Sequence, residues 1–189
     1  MFNLILFGPP GAGKGTQAVQ IAAKYGWKHV STGDILRAEV SQGTPRGLKV
    51  KSVMDAGHLV SDDLLIEIME SVFMKNDKAE GFVLDGFPRT VNQAVELDRM
   101  LKSHGRSVTL VLALEVDEAE LVRRLLNRAR EQGRMDDTEE VIKNRLVQYH
   151  QHTKPLIDYY RSQQLFREVH GVGTVAEIFE QLCVTIESV

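Results

Sequence analysis

Residues Gly8 to Thr16 read GPPGAGKGT, directly after the apolar run NLILF. Gly8, four residues, then Gly13 and Lys14 is the spacing of a phosphate-binding loop. Glycines let successive backbone N–H groups turn inward and approach phosphate oxygens with no Cβ in the way. A helix starting there adds its N-terminal partial positive charge, and Lys14 reaches the β and γ phosphates as a point charge. The usual pattern puts Ser or Thr directly after the lysine, to touch a metal. Here Gly15 intervenes and Thr16 follows, left to cap the helix or touch phosphate. Loops of this kind serve switches, motors, transporters and kinases alike, so the loop alone does not decide function.

Arginines stand where a phosphoryl reaction centre needs charge. Arg124 and Arg128 are four residues apart in a helical stretch and share a face. Like charges at that spacing repel by a few tenths of a kcal/mol, about 0.2–0.5, and an anion between them removes that repulsion. The plainer reading is a solvated basic face with Glu118 and Glu120 nearby. Arg134 follows Gly133 in a polar segment, and Arg145 lies in line with Val141 and Tyr149 on the next helix. Arg89 follows Pro88 at the end of a buried strand, where open α/β sheets bind ligands. Arg37 lies further upstream. A loose phosphoryl transition state needs little covalent help and much placed charge. Asp85, ending the strand FVLD, suits Mg²⁺ held through water; a turn cap at DGFP is the alternative.

The elements that must position these residues alternate. NLILF, KHVS (Lys28 to Ser31), FVLD (Phe82 to Asp85), TLVLALEV (Thr109 to Val116) and LFREV (Leu165 to Val169) read as strands. The first, third and fourth are nearly continuous in apolar residues, the mark of strands buried on both faces of a parallel sheet. Amphipathic stretches between them are long enough for crossover helices. The expected fold class is α/β, a doubly wound, five-stranded parallel sheet in one domain spanning residues 1–189. Residues 31–60 read as a small helical insertion, and 128–137, RAREQGRMDD, as a short exposed flap. Asp137 followed by Glu140 has capping-box spacing for the next helix.

Composition narrows the classes. The chain has 189 residues, 43% hydrophobic and 26% charged, with net charge −3. That is one ordinary globular core with no bulk cationic field to hold a nucleic acid. One cysteine, Cys183, can make neither an internal disulfide nor a multi-cysteine zinc site, and reads as a buried packing residue. No apolar run approaches the roughly 20 residues that span a bilayer, and the N-terminus lacks the pattern of a secretory signal. A soluble, cytoplasmic protein without membrane partners is expected. His150 and His152, two apart on a helix, face different directions and do not suit a metal. Trp27, after a Gly26 helix stop, reads as partly exposed packing.

Taken in order, GPPGAGKGTQ, STGDILR, DAGHLVSD, LDGFPRT with NQA, GRMDD and YHQHTKPLIDYY span nearly the whole chain. The set closely resembles the adenylate kinase family of nucleoside monophosphate kinases, in the form with a short lid. The resemblance implies a P-loop kinase core that transfers the terminal phosphoryl of Mg·ATP to AMP, giving two ADP, reversibly. It implies that Gly11, Ala12, Gly13, Lys14, Gly15 and Thr16 cradle ATP phosphates. Arg124 would stack on the ATP base, Arg128 would bind its phosphates, and Gly173 would offer backbone to its adenine. On the acceptor side, Thr32 would lie near the AMP base and Arg37 at its phosphate. The backbone of His58, Leu59 and Val60 would line the base pocket. Gly86, Phe87, Pro88 and Arg89 would hold AMP, and Gln93 would read adenine. Arg134 and Arg145 would bridge the reacting phosphates, with no dedicated general base. Residues 31–60 would be the AMP-binding insertion and 128–137 the lid, both moving to exclude water, with Gly33, Gly43, Gly57 and Gly133 as hinge or turn positions. The ten-residue lid carries no cysteine, so zinc is not expected. By family analogy the protein is a monomer.

Three alternatives keep the loop and change the function. A UMP/CMP kinase shares the scaffold, but usually carries Ala at the Thr32 position, and its glutamine after GFPR is typically displaced or lost; a hydroxyl and an amide match the edge of adenine. A guanine-selective switch would carry Asn-Lys-x-Asp, and KNDK at Lys75 to Lys78 has the wrong order. A non-catalytic nucleotide sensor would lack some of Lys14, Arg89, Arg128, Arg134 and Arg145.

Overall fold

The computed structural model describes residues 1–132 and 137–189, without the side chain of Gln132. Five parallel strands form one sheet: β1 Phe2–Phe7, β2 Lys28–Ser31, β3 Gly81–Asp85, β4 Leu110–Glu115 and β5 Phe166–His170. Their order is β2-β3-β1-β4-β5, so the chain leaves β1 for one edge and returns across it to build the other. Each predicted strand is present, with ends shifted by a residue or so.

Alternation along the strands explains the two-sided burial. Ile5 and Phe7 of β1 face one core, with Val111 and Ala113 of β4, beneath helices α4 (Asp62–Lys75), α5 (Val91–Ser103) and α8 (Leu156–Ser162). Leu4 and Leu6 face the other core, with Leu110, Leu112 and Leu114. That core is closed by α1 (Lys14–Tyr25), α6 (Glu118–Gln132), α7 (Glu139–Gln148) and α9 (Val175–Glu187). Each such Leu, Ile or Phe taken fully out of water contributes roughly 1.5–3 kcal/mol. Cys183 is buried in α9 as a free thiol, and Trp27 stacks between Phe2 and Tyr25.

Between β2 and α4 the chain forms α2 (Thr32–Ser41) and α3 (Pro45–Asp55), capped by Ser31 and Thr44 through their hydroxyls. They cross closely at Gly47, where a Cβ would stand 2.2 Å from the carbonyl oxygen of Glu39. Helix α6 runs to Gln132 and carries Arg124 and Arg128, as their four-residue spacing implies. One reading from spacing is corrected here. The cap of α7 is Thr138, whose hydroxyl accepts from the Val141 N–H; Asp137 turns elsewhere.

Candidate functional site

Sheet register assembles the site. Leu6 of β1 pairs with Asp85 of β3, and Asp85 pairs with Ser31 of β2. Three strands therefore end at one level, and the loop after β1, Asp85 and the start of α2 open into the same cleft. Its volume is about 940 Å³, at the upper end of small-molecule sites, roughly 300–1,000 Å³.

The loop from Gly8 to Gly13 is held by space and by conformation. At Gly8, φ is 137° and a Cβ would lie 2.8 Å from the Leu114 carbonyl oxygen, so only glycine fits beside β4. Gly13 caps α1 with φ 94° and leaves the N–H groups of the first turn open to the cleft. Lys14 donates to the carbonyls of Gly8 and Pro9, both at 2.8 Å. Burial, with help from Arg89 and Arg128, pushes its ammonium down to about 8, against the pull of Asp85. The side chain still meets solvent along part of its length.

Gly15 has a physical reason. A Cβ there would stand 3.3 Å from Asp85 Oδ2, so the missing side chain leaves that carboxylate clear toward the start of α1. A single carboxylate beside a phosphate loop fits Mg²⁺, a hard cation that keeps waters and draws other ligands from nucleotide phosphates. Among the described residues, no group of three or more His, Cys, Asp or Glu side chains stands together to hold a metal.

On the β2–β3 side, Gly86 O accepts from Thr32 Oγ1 at 2.9 Å and from Arg89 Nε at 2.8 Å. Burial lowers the Arg89 pKa below the usual arginine value; Arg145 and Arg37 push the same way and Asp85 opposes them. Arg37 pairs with Asp34 one turn away. On the other side, Asp137 is 2% exposed and bridges two arginines. It takes Arg128 in a two-pronged grip at 2.7 and 2.9 Å, and Arg145 Nη1 at 2.6 Å. Arg124 reaches Glu120 at 2.7 Å and the Gly171 carbonyl at 3.0 Å. Arg123 and Arg124 together hold the Glu120 carboxyl down to about 2.

The cleft brings most of the expected residues together. Gly11, Ala12, Gly13, Lys14, Gly15 and Thr16 line it with Thr32, Arg37, His58, Leu59 and Val60. Asp85, Gly86, Pro88, Arg89, Arg124, Arg128, Arg145 and Gly173 complete the wall. Phe87 does not join them: it is 1% exposed and packs in the core, and its peptide bond to Pro88 is cis. Gln93 is fully buried, and its amide is engaged by Arg89 N at 2.7 Å and Asp62 Oδ1 at 2.7 Å. Arg134 lies outside the described residues, with Gly133 and Asp136.

Comparison with known proteins decides among phosphate-loop enzymes. The family model described as adenylate kinase matches residues 6–165. The chain belongs to the adenylate kinase family. Proteins named adenylate kinase from Bacteroides thetaiotaomicron and Leptospira biflexa are 46% and 51% identical to it. These matches cover 99% of both chains for the first, and 94% of this chain and 96% of the relative for the second. A namesake from Flavobacterium psychrophilum is 46% identical over the full length of both.

In this kinase several residues that brace the elements around the cleft lie outside the motifs' chemistry as read from type and spacing. Asp62 accepts from Thr90 Oγ1 at 2.9 Å, Asn92 Nδ2 at 3.0 Å and Gln93 Nε2 at 2.7 Å. Thr153, in the π-helical turn Tyr149–Thr153, donates to the Arg89 carbonyl at 2.9 Å. Gln17 ties α1 to the carbonyl of Val175 at 3.0 Å. Nothing in local spacing pairs these residues, because each bond joins elements far apart in sequence.

Proposed function

We propose that this kinase moves the terminal phosphoryl group of Mg·ATP to AMP, giving two ADP, and that the reaction runs in both directions. The observation that supports this best is the convergence of cations on one cleft from separate directions. Lys14 comes from the phosphate loop, Arg37 and Arg89 from the β2–β3 side, and Arg128 and Arg145 from α6 and α7. A hydrolase needs one nucleotide site and water; two sets of phosphate-binding cations facing each other suit two nucleotides.

An AMP phosphate oxygen attacks the γ phosphorus of ATP in line. The bond from that phosphorus to the β,γ-bridging oxygen breaks, and its electron pair leaves on the β phosphate of ADP. The attacking oxygen is already anionic, so no proton has to be removed and no general base is needed. Lys14, Arg89, Arg128 and Arg145, with Arg134 from the same motif set, carry the charge spread over the transferring group. Magnesium, bound with ATP, neutralises phosphate charge; Asp85 would hold it through water.

Residues 31–60 are read as the AMP-binding insertion and 128–137 as a short lid. Closure of both excludes water, the rival acceptor. Gly173 and Arg124 serve the donor base, and His58, Leu59 and Val60 the acceptor base. The enzyme works on free nucleotides as a cytoplasmic monomer and serves adenine nucleotide homeostasis; its net charge of −3 gives no general field for nucleic acid. Among the described residues, no helix is long and apolar enough to cross a membrane.

UMP or CMP as acceptor is a second reading, because the Gln93 amide and Thr32 hydroxyl both have partners within the protein. The relatives' names favour AMP. A coupled ADP-production assay at fixed ATP with AMP, CMP, UMP and GMP decides. Preference for AMP is expected; preference for a pyrimidine nucleotide, or strong turnover without an acceptor, overturns the reading.

A further inference from the structure

We propose that Asp62 is a positioning residue for Arg89, acting through the buried Gln93 amide. This rests on Arg89 as a ligand of the AMP phosphate. Asp62 is the first residue of α4, where the chain leaves residues 31–60, while Arg89 lies in the loop between β3 and α5. The carboxylate of Asp62 accepts three hydrogen bonds from that loop and the first turn of α5, from Thr90, Asn92 and Gln93. Gln93 then accepts from the Arg89 N–H at 2.7 Å. The Arg89 carbonyl is held from the other side by Thr153 at 2.9 Å. The peptide groups flanking Arg89 are thus fixed from two sides, and its guanidinium is fixed by Gly86 O.

The direction of control follows from the chemistry of the amide. Gln93 has one oxygen and one nitrogen, and an amide not held at its nitrogen can turn over. Asp62 accepts only, so it fixes which end of the amide faces Arg89. Turned over, the amide would present N–H to the Arg89 N–H, and the loop would have to move. Asp62 also sits at the N-terminal end of α5, where an anion is favoured. It touches no part of the cleft itself: the cleft wall includes Arg89 but neither Asp62 nor Gln93.

The test separates phosphate from base. Binding of AMP, adenosine and ATP to the whole protein is measured by calorimetry, with NMR titration for weak ligands, for the parent, Asp62→Ala, Asp62→Asn and Arg89→Ala. Asp62→Ala is expected to weaken AMP about tenfold while adenosine and ATP stay within about twofold, with Asp62→Asn between it and the parent. In an Arg89→Ala background, the same change should alter AMP binding by less than about twofold. Equal loss for AMP and adenosine would mean that Asp62 shapes the base pocket, and equal loss for ATP would mean general damage; either overturns the proposal. If Asp62→Ala does not fold, the same ratios read on Asp62→Asn decide. Unchanged AMP binding in Arg89→Ala would sink the acceptor-site reading itself, whatever Asp62 does.

Discussion

With Lys14 at the ATP phosphates, as proposed, ATP binding should carry a pH signature. Its ammonium, with an ordinary value of 10.5, is pushed down to about 8, first by burial and then by Arg89 and Arg128. Between about pH 8 and 10.5 the folded protein has released this proton while the unfolded chain keeps it. The unfolded state binds more protons there, so stability rises with pH through that window, and the destabilisation from the buried charge is fully present below about pH 8. Bound nucleotide works the other way. Phosphates beside the ammonium favour its charged form, so ATP binding takes up a proton wherever free Lys14 is neutral. With a value near 8, the charged fraction falls from about nine-tenths at pH 7 to about one-tenth at pH 9. The Kd for ATP should rise roughly tenfold over that interval, and approach one decade per pH unit above it. Phosphate's second ionisation, near pH 6, is over before the window opens. Tyr25, Tyr149 and Tyr159 are each pushed up to about 12 and stay silent within it. Calorimetry in buffers of different ionisation heat, at constant ionic strength, measures both the Kd and the proton uptake. Lys14→Arg is the control: it should bind ATP more weakly but with a flat profile, because arginine keeps its charge. A flat parent profile from pH 7 to 9, or the same rise in Lys14→Arg, would refute the reasoning.

Other perturbations separate the parts of the site. Gly8→Ala forces a Cβ to 2.8 Å from the Leu114 carbonyl at φ 137°; a strain of about 1–3 kcal/mol should weaken ATP about tenfold or more and AMP little. Gly47→Ala drives a Cβ to 2.2 Å from the Glu39 carbonyl where α2 meets α3, and is expected to weaken AMP while sparing ATP; matching losses for both ligands in both variants would deny two separable sites. Arg89→Ala should lower kcat by on the order of 10³-fold, as loss of a transition-state arginine does, and a loss under tenfold in steady-state kinetics would place Arg89 away from the reacting phosphate. Asp137→Ala leaves Arg128 and Arg145 facing each other without their shared carboxylate. With those arginine side chains 28% and 19% exposed, the change should destabilise by about 1–3 kcal/mol, less than for a wholly buried pair. Denaturant midpoints measure it, and saturating ATP should return part of the loss by supplying anions.

The sheet and the phosphate-loop pattern were legible because their signals are local. The apolar runs of β1, β3 and β4 require two covered faces, and the two cores meet that requirement strand by strand. The glycines and Lys14 of the loop sit within seven consecutive residues, Gly8 to Lys14, so spacing alone brings their chemistry together. Resemblance extended this to most of the cleft wall. What type and spacing did not reveal were partnerships across elements. Asp137 has the offset from Glu140 of a capping box, yet Thr138 takes the cap. Thr138 satisfies the helix with a neutral hydroxyl, which releases Asp137 for three charge-assisted bonds to arginine, each stronger than a cap.

Gln93 shows the same limit after β3. A glutamine four residues beyond Arg89 has the right group to read adenine, and residue type cannot tell a free amide from an engaged one. The partner that engages it lies 31 residues upstream, on a different helix. Only the packing of α4 against α5 brings the two together. Gln93 is fully buried, and with Asp62 bonded to its nitrogen and Arg89 to its oxygen the amide braces the loop behind the cleft wall and does not line the cleft itself.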